Sequence, residues 1–287
     1  MPTMTQSEEQ FKRSTSYLMP FEKLHGLGND FVVVNAAHLP LDSSEAYEKD
    51  LTVKICDRKR GIGGDGLIII DQVKDSDQAI RSWRFYNADG SVAEMCGNGV
   101  RCAGKYIYEH GLSGEETNFK LETLAGDIGL ELLADEMVKV DMGGPREITE
   151  KQKLEVDGFG FDYDFVSMGN PHAIAFFDDI DAVKDHGKAI EIHSNFPNKT
   201  NVEFAKIISP EQIKLVVWER GCGFTEACGT GACATVVAAV LRGHCQKDTD
   251  ITVELPGGNL IVRWDSVAET IFMTGPAELS FIGYFNS

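Results

Sequence analysis

The chain has 287 residues, 43% hydrophobic and 25% charged, the proportions of a globular protein large enough for two cores. A formal net charge of −18 argues against nucleic acid or an anionic membrane as partner. No apolar run reaches the ~20 residues that span a bilayer, Met1 to Met19 lacks a secretory apolar stretch, and seven cysteines, an odd number, do not fit an exported disulfide framework, so a cytoplasmic location is expected.

Residues 1–20 read as a polar N-terminal tail. Phe31 to Val34, Leu67 to Ile70 and Trp83 to Tyr86 are short β-branched or aromatic runs bounded by Gly, Asn and Asp, which predicts strands. After Cys96 the period changes. Val100, Ala103 and Ile107 recur at helical spacing and Gly111 stands as a stop, so a helix is predicted over Gly97 to Glu109. Two runs, Ile128 to Leu133 and Val138 to Met142, follow as a hairpin, and Gly143-Gly144-Pro145 reads as a linker, closing a first half near Asp141. In the second half a helix is predicted from Gly229 to Leu241, stopped by Gly243 and apolar nearly all round. A hairpin of Ile251 to Leu255 with Leu260 to Trp264 comes after it. Strands dominate and regular βαβ alternation is missing. The expected fold class is α/β of the α+β type: two pseudo-symmetric halves, each a β-rich, barrel-like sheet around a central helix.

The halves repeat. Glu94-Met95-Cys96-Gly97-Asn98-Gly99 is answered by Glu226-Ala227-Cys228-Gly229-Thr230-Gly231, and Leu121 to Ile128 by Val253 to Leu260 at the same offset. A third echo, Gly28-Asn29-Asp30-Phe31 against Gly169-Asn170-Pro171-His172, keeps the order with a different spacing, as loop insertions produce. Each copy sets a cysteine at the entrance of a helix. There the free backbone N–H groups and the helix dipole favour a thiolate, lowering a thiol pKa that is ordinarily about 8.5. Glycines beside Asn98 and Thr230 leave Gly97-Asn98 and Gly229-Thr230 open to a small anion such as a carboxylate. Cys56, Cys102, Cys222, Cys233 and Cys245 read instead as small buried hydrophobes.

Zinc is disfavoured because paired Cys-x2-Cys spacing is missing and the seven histidines are scattered, so no metal is expected. A cysteine protease needs one thiol and one fixed histidine, for which His25 and His172 are available, but that leaves the duplication unexplained. Two related thiols facing one cleft suit removal of a proton from one face of a carbon and delivery of another to the opposite face, one sulfur as thiolate and one as thiol. A redox-sensing protein in which Cys96 and Cys228 form a regulatory disulfide is the non-enzymatic rival.

From Phe21 to Gly275 the sequence resembles the diaminopimelate epimerases. The matching blocks are Lys23 to Phe31, Arg60 to Gly66, Phe85 to Ser91, Met95 to Cys102, Gly169 to His172, Asn201 to Phe204, and Trp218-Glu219-Arg220-Gly221 with Cys228 to Ala234. The resemblance implies the proline-racemase-like fold, with residues 21–141 and 142–273 as the two halves, the active site in the cleft between them, and 274–287 returning to the first. It also implies cofactor-free interconversion of LL- and meso-2,6-diaminopimelate in lysine and peptidoglycan supply. By resemblance Cys96 and Cys228 are the acid–base pair, and Gly97, Asn98, Gly229 and Thr230 cradle the reacting carboxylate. Asn29, Asn87, Asn170, Asn201, Glu219 and Arg220 would hold the distal amino-acid end, and His172 and Glu219 would set the thiols' protonation. Gly66 stands where some members carry a glutamine, and Phe281 where members often carry a tyrosine associated with dimer packing; a homodimer is expected from the family. The alternatives of the same fold are a proline or hydroxyproline racemase and a phenazine-type isomerase that uses carboxylate chemistry.

Overall fold

A computed structural model describes residues 18–40, 43–71, 80–93 and 95–286. Glu94 and positions 1–17 of the expected tail lie outside the described residues.

The first half begins with β1 (Leu18–Gly26) and β2 (Asn29–Asn35), an antiparallel pair. Helix α1 (Glu45–Cys56) leads to β3 (Gly66–Ile70), parallel to β2, and β4 (Ile80–Asn87) runs back against β3. Then come α2 (Gly97–Glu109), β5 (Asn118–Thr123) parallel to β4, and the meander of β6 (Gly126–Leu132) and β7 (Met137–Asp141). Both predicted cysteine-led helices form with the limits read from sequence. Gly111, at φ 65°, and Gly243, at φ 77°, take the left-handed conformation that ends each helix.

The second half follows the same path. It runs through β8 (Glu147–Val156), β9 (Phe159–Ser167), β10 (Pro171–Phe176), the short α3 (Gly187–Glu191), β11 (Asn201–Ser209), β12 (Gln212–Glu219) and the two-residue β13 (Gly223–Phe224). Next are α4 (Gly229–Leu241), β14 (Ile251–Leu255), β15 (Gly258–Asp265), β16 (Thr270–Pro276) and β17 (Glu278–Asn286). The pairings β9–β10, β10–β11, β11–β12, β12–β14 and β14–β15–β16 reproduce, in order and direction, β1–β2, β2–β3, β3–β4, β4–β5 and β5–β6–β7. Antiparallel pairing of β7 with β16 joins the two curved sheets. The outermost strand of each half comes from beyond the other: β8, which follows β7, pairs with β9, and β17, which follows β16, pairs with β1.

Helices α2 and α4 lie against the inner faces of their own half-sheets, touch one another, and share one continuous apolar cluster. In α4 Ala232, Cys233, Ala234, Val236, Val237, Ala238 and Ala239 are all fully buried. Such a helix is stable only inside a sheet that wraps around it.

Two expectations need correction, and one helix went unread. The strand takes the end of the presumed tail, since β1 starts at Leu18 and buries Met19 under its pairing with β17. Helix α1, capped by Ser44, was not read from sequence; only Leu51, Ile55 and Cys56 among its apolar side chains are buried, too few for a clear helical stripe. Cys222 is exposed rather than a buried hydrophobe, because it lies in the turn between β12 and β13.

The two halves also meet at the tip of the β14–β15 hairpin, where a Cβ on Gly257 would come 2.2 Å from the Leu27 carbonyl oxygen. Gly257→Ala is therefore expected to lower unfolding free energy by about 1–3 kcal/mol through overpacking. Urea titration checks this, and an unchanged midpoint would show that the hairpin does not bear on Leu27.

Candidate active site

Cys96 and Cys228 are the N-cap residues of α2 and α4, both with extended backbone (φ −143°, ψ 118° and φ −119°, ψ 107°). Both line one open cleft of about 1520 Å³ between the halves. The glycines that follow them do more than uncover N–H groups. A Cβ on Gly97 would lie 2.9 Å from Met273 Cε, and one on Gly229 would lie 2.9 Å from Met273 Sδ, so both helix starts press on one buried side chain. Asn98 ties the halves together here. Its Nδ2 donates to Asn29 Oδ1 at 3.0 Å and to the Ala227 carbonyl at 3.2 Å.

Neither sulfur closes a side-chain cap hydrogen bond, and the expected lowering of the thiol pKa values is not the net result. Burial pushes the Cys96 thiol up, against the N–H groups of Gly99 and Asn98, which pull it down. Cys228 is pushed well above the ordinary thiol range, first by burial and then by the charges of Glu219 and Glu203. The helix-entrance effect is present at both sulfurs, and desolvation outweighs it.

Asn29, Asn87, Gly97, Asn98, Asn170, Glu219, Gly229 and Thr230 all line the cleft. Asn29 Nδ2 donates to Asp65 at 2.7 Å, which fixes Oδ1 toward Cys96 Sγ at 3.7 Å. Glu219 accepts from Thr225 Oγ1 at 2.6 Å, and burial raises its carboxyl pKa against hydrogen bonds from Thr225 and Cys228. Asn201 and Arg220 are arranged differently. The Asn201 side chain donates to the Pro171 carbonyl at 2.9 Å and accepts from Arg220 N at 2.9 Å, while the Arg220 guanidinium donates to the Asn198 carbonyl at 3.3 Å. Neither is among the residues that line the cleft; Asn201 is buried, and the Arg220 side chain is exposed with only its Nη1 bonded. A side chain at Gly66 has no room, since a Cβ would meet the Tyr86 carbonyl at 2.5 Å.

His172 is fully buried behind the cleft, in a chain of polar contacts that ends at sulfur. Asn170 donates Nδ2–H to Thr230 Oγ1 at 3.2 Å and so turns its Oδ1 to His172 Nε2 at 3.0 Å. Thr230 Oγ1 lies 3.6 Å from Cys228 Sγ. His172 Nδ1 faces Glu203 Oε1 at 2.6 Å. In this orientation Nε2 carries a proton, and one further proton is shared between Nδ1 and the carboxyl. Sequence reasoning missed Glu203 as a site residue. Its signal was an acidic side chain between Val202 and Phe204 in a strand buried on both faces, where an ionisable group needs a partner.

The diaminopimelate epimerase family profile matches residues 21–148 and 165–280. Diaminopimelate epimerase of Heliobacterium modesticaldum is 45% identical over 284 residues, covering 92% of this chain and 99% of the relative, and that of Carboxydothermus hydrogenoformans is 46% identical over 283 residues, covering 93% and 99%. Among solved structures, a PhzF-family phenazine biosynthesis protein of Bacillus anthracis superposes with a TM-score of 0.73 at 15% identity, covering 93% of this chain and 99% of its own. A hydroxyproline epimerase from Agrobacterium vitis gives 0.71 at 15% identity, covering 95% and 94%. At that identity these two speak for the fold alone, two pseudo-symmetric α/β halves. Profile and relatives extend over nearly all of the described residues, and the chain belongs to the diaminopimelate epimerase family.

Proposed function

We propose that this protein is an isomerase that epimerises LL-2,6-diaminopimelate to the meso form, by proton transfer between the α-carbon and the sulfurs of Cys96 and Cys228. The observation that carries the reading is that two cysteines, each at the N-cap of the same helix of a duplicated half, line one cleft. The substrate's reacting carboxylate would sit on the N–H groups that open α2 and α4, with its α-carbon between the sulfurs. One thiolate removes the proton while the other thiol delivers its own to the opposite face, and the configuration inverts. No cofactor enters this scheme, because the carboxylate and the two helix starts supply the charge stabilisation. Asn29, Asn87, Asn170 and Glu219 face the cleft as acceptors and donors for a second zwitterionic head, which favours diaminopimelate over proline.

Incubation with LL-diaminopimelate in D2O is expected to yield meso product carrying α-deuterium. Cys96→Ala and Cys228→Ala should each lower turnover by a factor of at least about 10³, and Asn201→Ala should act mainly through stability. Wild-type turnover of proline but not diaminopimelate would overturn the substrate, and full activity of either cysteine variant would overturn the mechanism.

We also propose a homodimer built on β17. Its outer edge has no strand partner among the described residues, and Phe281, Ile282 and Tyr284 are 48%, 68% and 72% exposed along it. Sedimentation velocity should give a dimer for the wild type and a shift to monomer in Phe281→Glu; a wild-type monomer at micromolar concentration would refute the assembly. No helix among the described residues is long and apolar enough to cross a membrane.

A further inference from the structure

The fold is symmetric about the cleft, and its charges are not. Residues that correspond in the two halves differ in kind wherever a charge lies near a sulfur. His172 corresponds to Phe31, and from the registers of β10–β11 and β2–β3 Glu203 corresponds to Ile68. Glu219 corresponds to Asn87, and Arg101, one turn into α2, corresponds to Cys233 in α4. Of these, Glu219 and the Glu203–His172 pair lie on the Cys228 side and Arg101 on the Cys96 side, where Asp65 is held one residue away through Asn29 and is itself paired with Arg58.

Arg101 is the unusual member of this set. It is 0% exposed, and among the described residues no carboxylate forms an ion pair with it. Its Nε donates to the Pro276 carbonyl at 3.1 Å and its Nη1 to the Gly97 carbonyl at 3.4 Å, with Met273 Sδ at 3.8 Å. Its Nη2 has no partner. A buried guanidinium held only by carbonyl oxygens is costly, and an anion nearby would offset the cost. The carbonyl that holds it belongs to the residue following Cys96.

We propose that Arg101 is a positioning residue whose buried charge makes Cys96 the more readily ionised of the two sulfurs, leaving Cys228 as the thiol. The inference rests on the two-cysteine reading above. The groups facing Cys96 are the Gly99 and Asn98 N–H groups and then Arg101, which favour the thiolate, and Glu219 and Asn29 Oδ1, which oppose it, with Asp65 behind Asn29. Those facing Cys228 are Glu219 and Glu203, which oppose its ionisation, and the Thr230 hydroxyl and the Gly231 N–H, which favour it. Glu219 acts on both sulfurs and Glu203 is paired with His172 at 2.6 Å, so the difference falls first to Arg101, which has no such partner.

The test is the pH dependence of iodoacetamide alkylation of the full-length protein without substrate, resolved for each cysteine by peptide mass spectrometry. Rates are scaled to their alkaline plateaus so that the greater exposure of Cys96 cancels. The Cys96 midpoint is expected about one unit or more below that of Cys228. Arg101→Met should raise the Cys96 midpoint by about one unit and leave Cys228 in place, whereas Arg101→Lys, which keeps the charge and loses the fork, should hold the Cys96 midpoint near the wild-type value. Equal midpoints, a lower one for Cys228, or an Arg101→Lys shift as large as that of Arg101→Met would overturn the proposal. If Arg101→Met does not fold, as judged by circular dichroism, the wild-type order and Arg101→Lys decide. Because no turnover is measured, failure of the diaminopimelate assay leaves this titration standing, and an inverted order overturns it whatever the substrate.

Discussion

The antiparallel ladder between β7 and β16 is the constraint on which the site depends. It is the seam of the two half-sheets, and it sets Met273 opposite Val140, fully buried, where the first turns of α2 and α4 converge. Both helices must begin with glycine to approach that side chain, and their N-caps then open on the same cleft. Were either helix to start a few ångströms further from the seam, the sulfurs would lie in separate walls with no shared substrate between them. The duplicated Cys-Gly pairs are thus as much a packing requirement as a chemical one. The same contact also limits how far the two helices can move independently, because each rests on the other's neighbour.

Desolvation and chemistry pull in opposite directions at these sulfurs. Burial near the seam raises both thiols above their ordinary range, which disfavours ionisation of either and makes a thiolate harder to form. A cleft built this way needs fixed charges in addition to helix dipoles. Those charges are distributed unequally, with Arg101 beneath one helix entrance and the Glu203–His172 pair behind the other. Backbone symmetry and electrostatic asymmetry coexist because the first is fixed by apolar packing, which tolerates little change, and the second by single substitutions at equivalent buried positions.

The sequence was most legible where a local rule and the repeat agreed. Both central helices carry an apolar period, a cysteine entrance and a glycine stop, and their limits were readable to the residue. The strands β8 and β17 were not, because most of their side chains face water and their register is set by partners remote in the chain or across a turn rather than by an internal pattern. The paired cysteines at the helix entrances and the asparagines lining the cleft could be named in advance. Their surroundings could not. Glu203 looks like any strand acid until its burial against His172 is known, and Arg101 looks like an ordinary helix surface residue. Asn201 shows another case, a residue type suited to holding a zwitterion whose side chain is bonded at both ends to backbone, the Pro171 carbonyl and the Arg220 N–H.

The exchange of β8 and β17 has an implication for descent. Each sheet is finished by a strand whose polypeptide has just left the other sheet, so a gene encoding one half alone would produce a product with an orphaned edge and a missing border strand. Two such products could satisfy each other only by trading those strands, forming a homodimer with twin cysteines across its axis. Fusion of the two genes would convert that reciprocal embrace into the present single polypeptide. It would also free each copy to diverge, which an identical pair could never do.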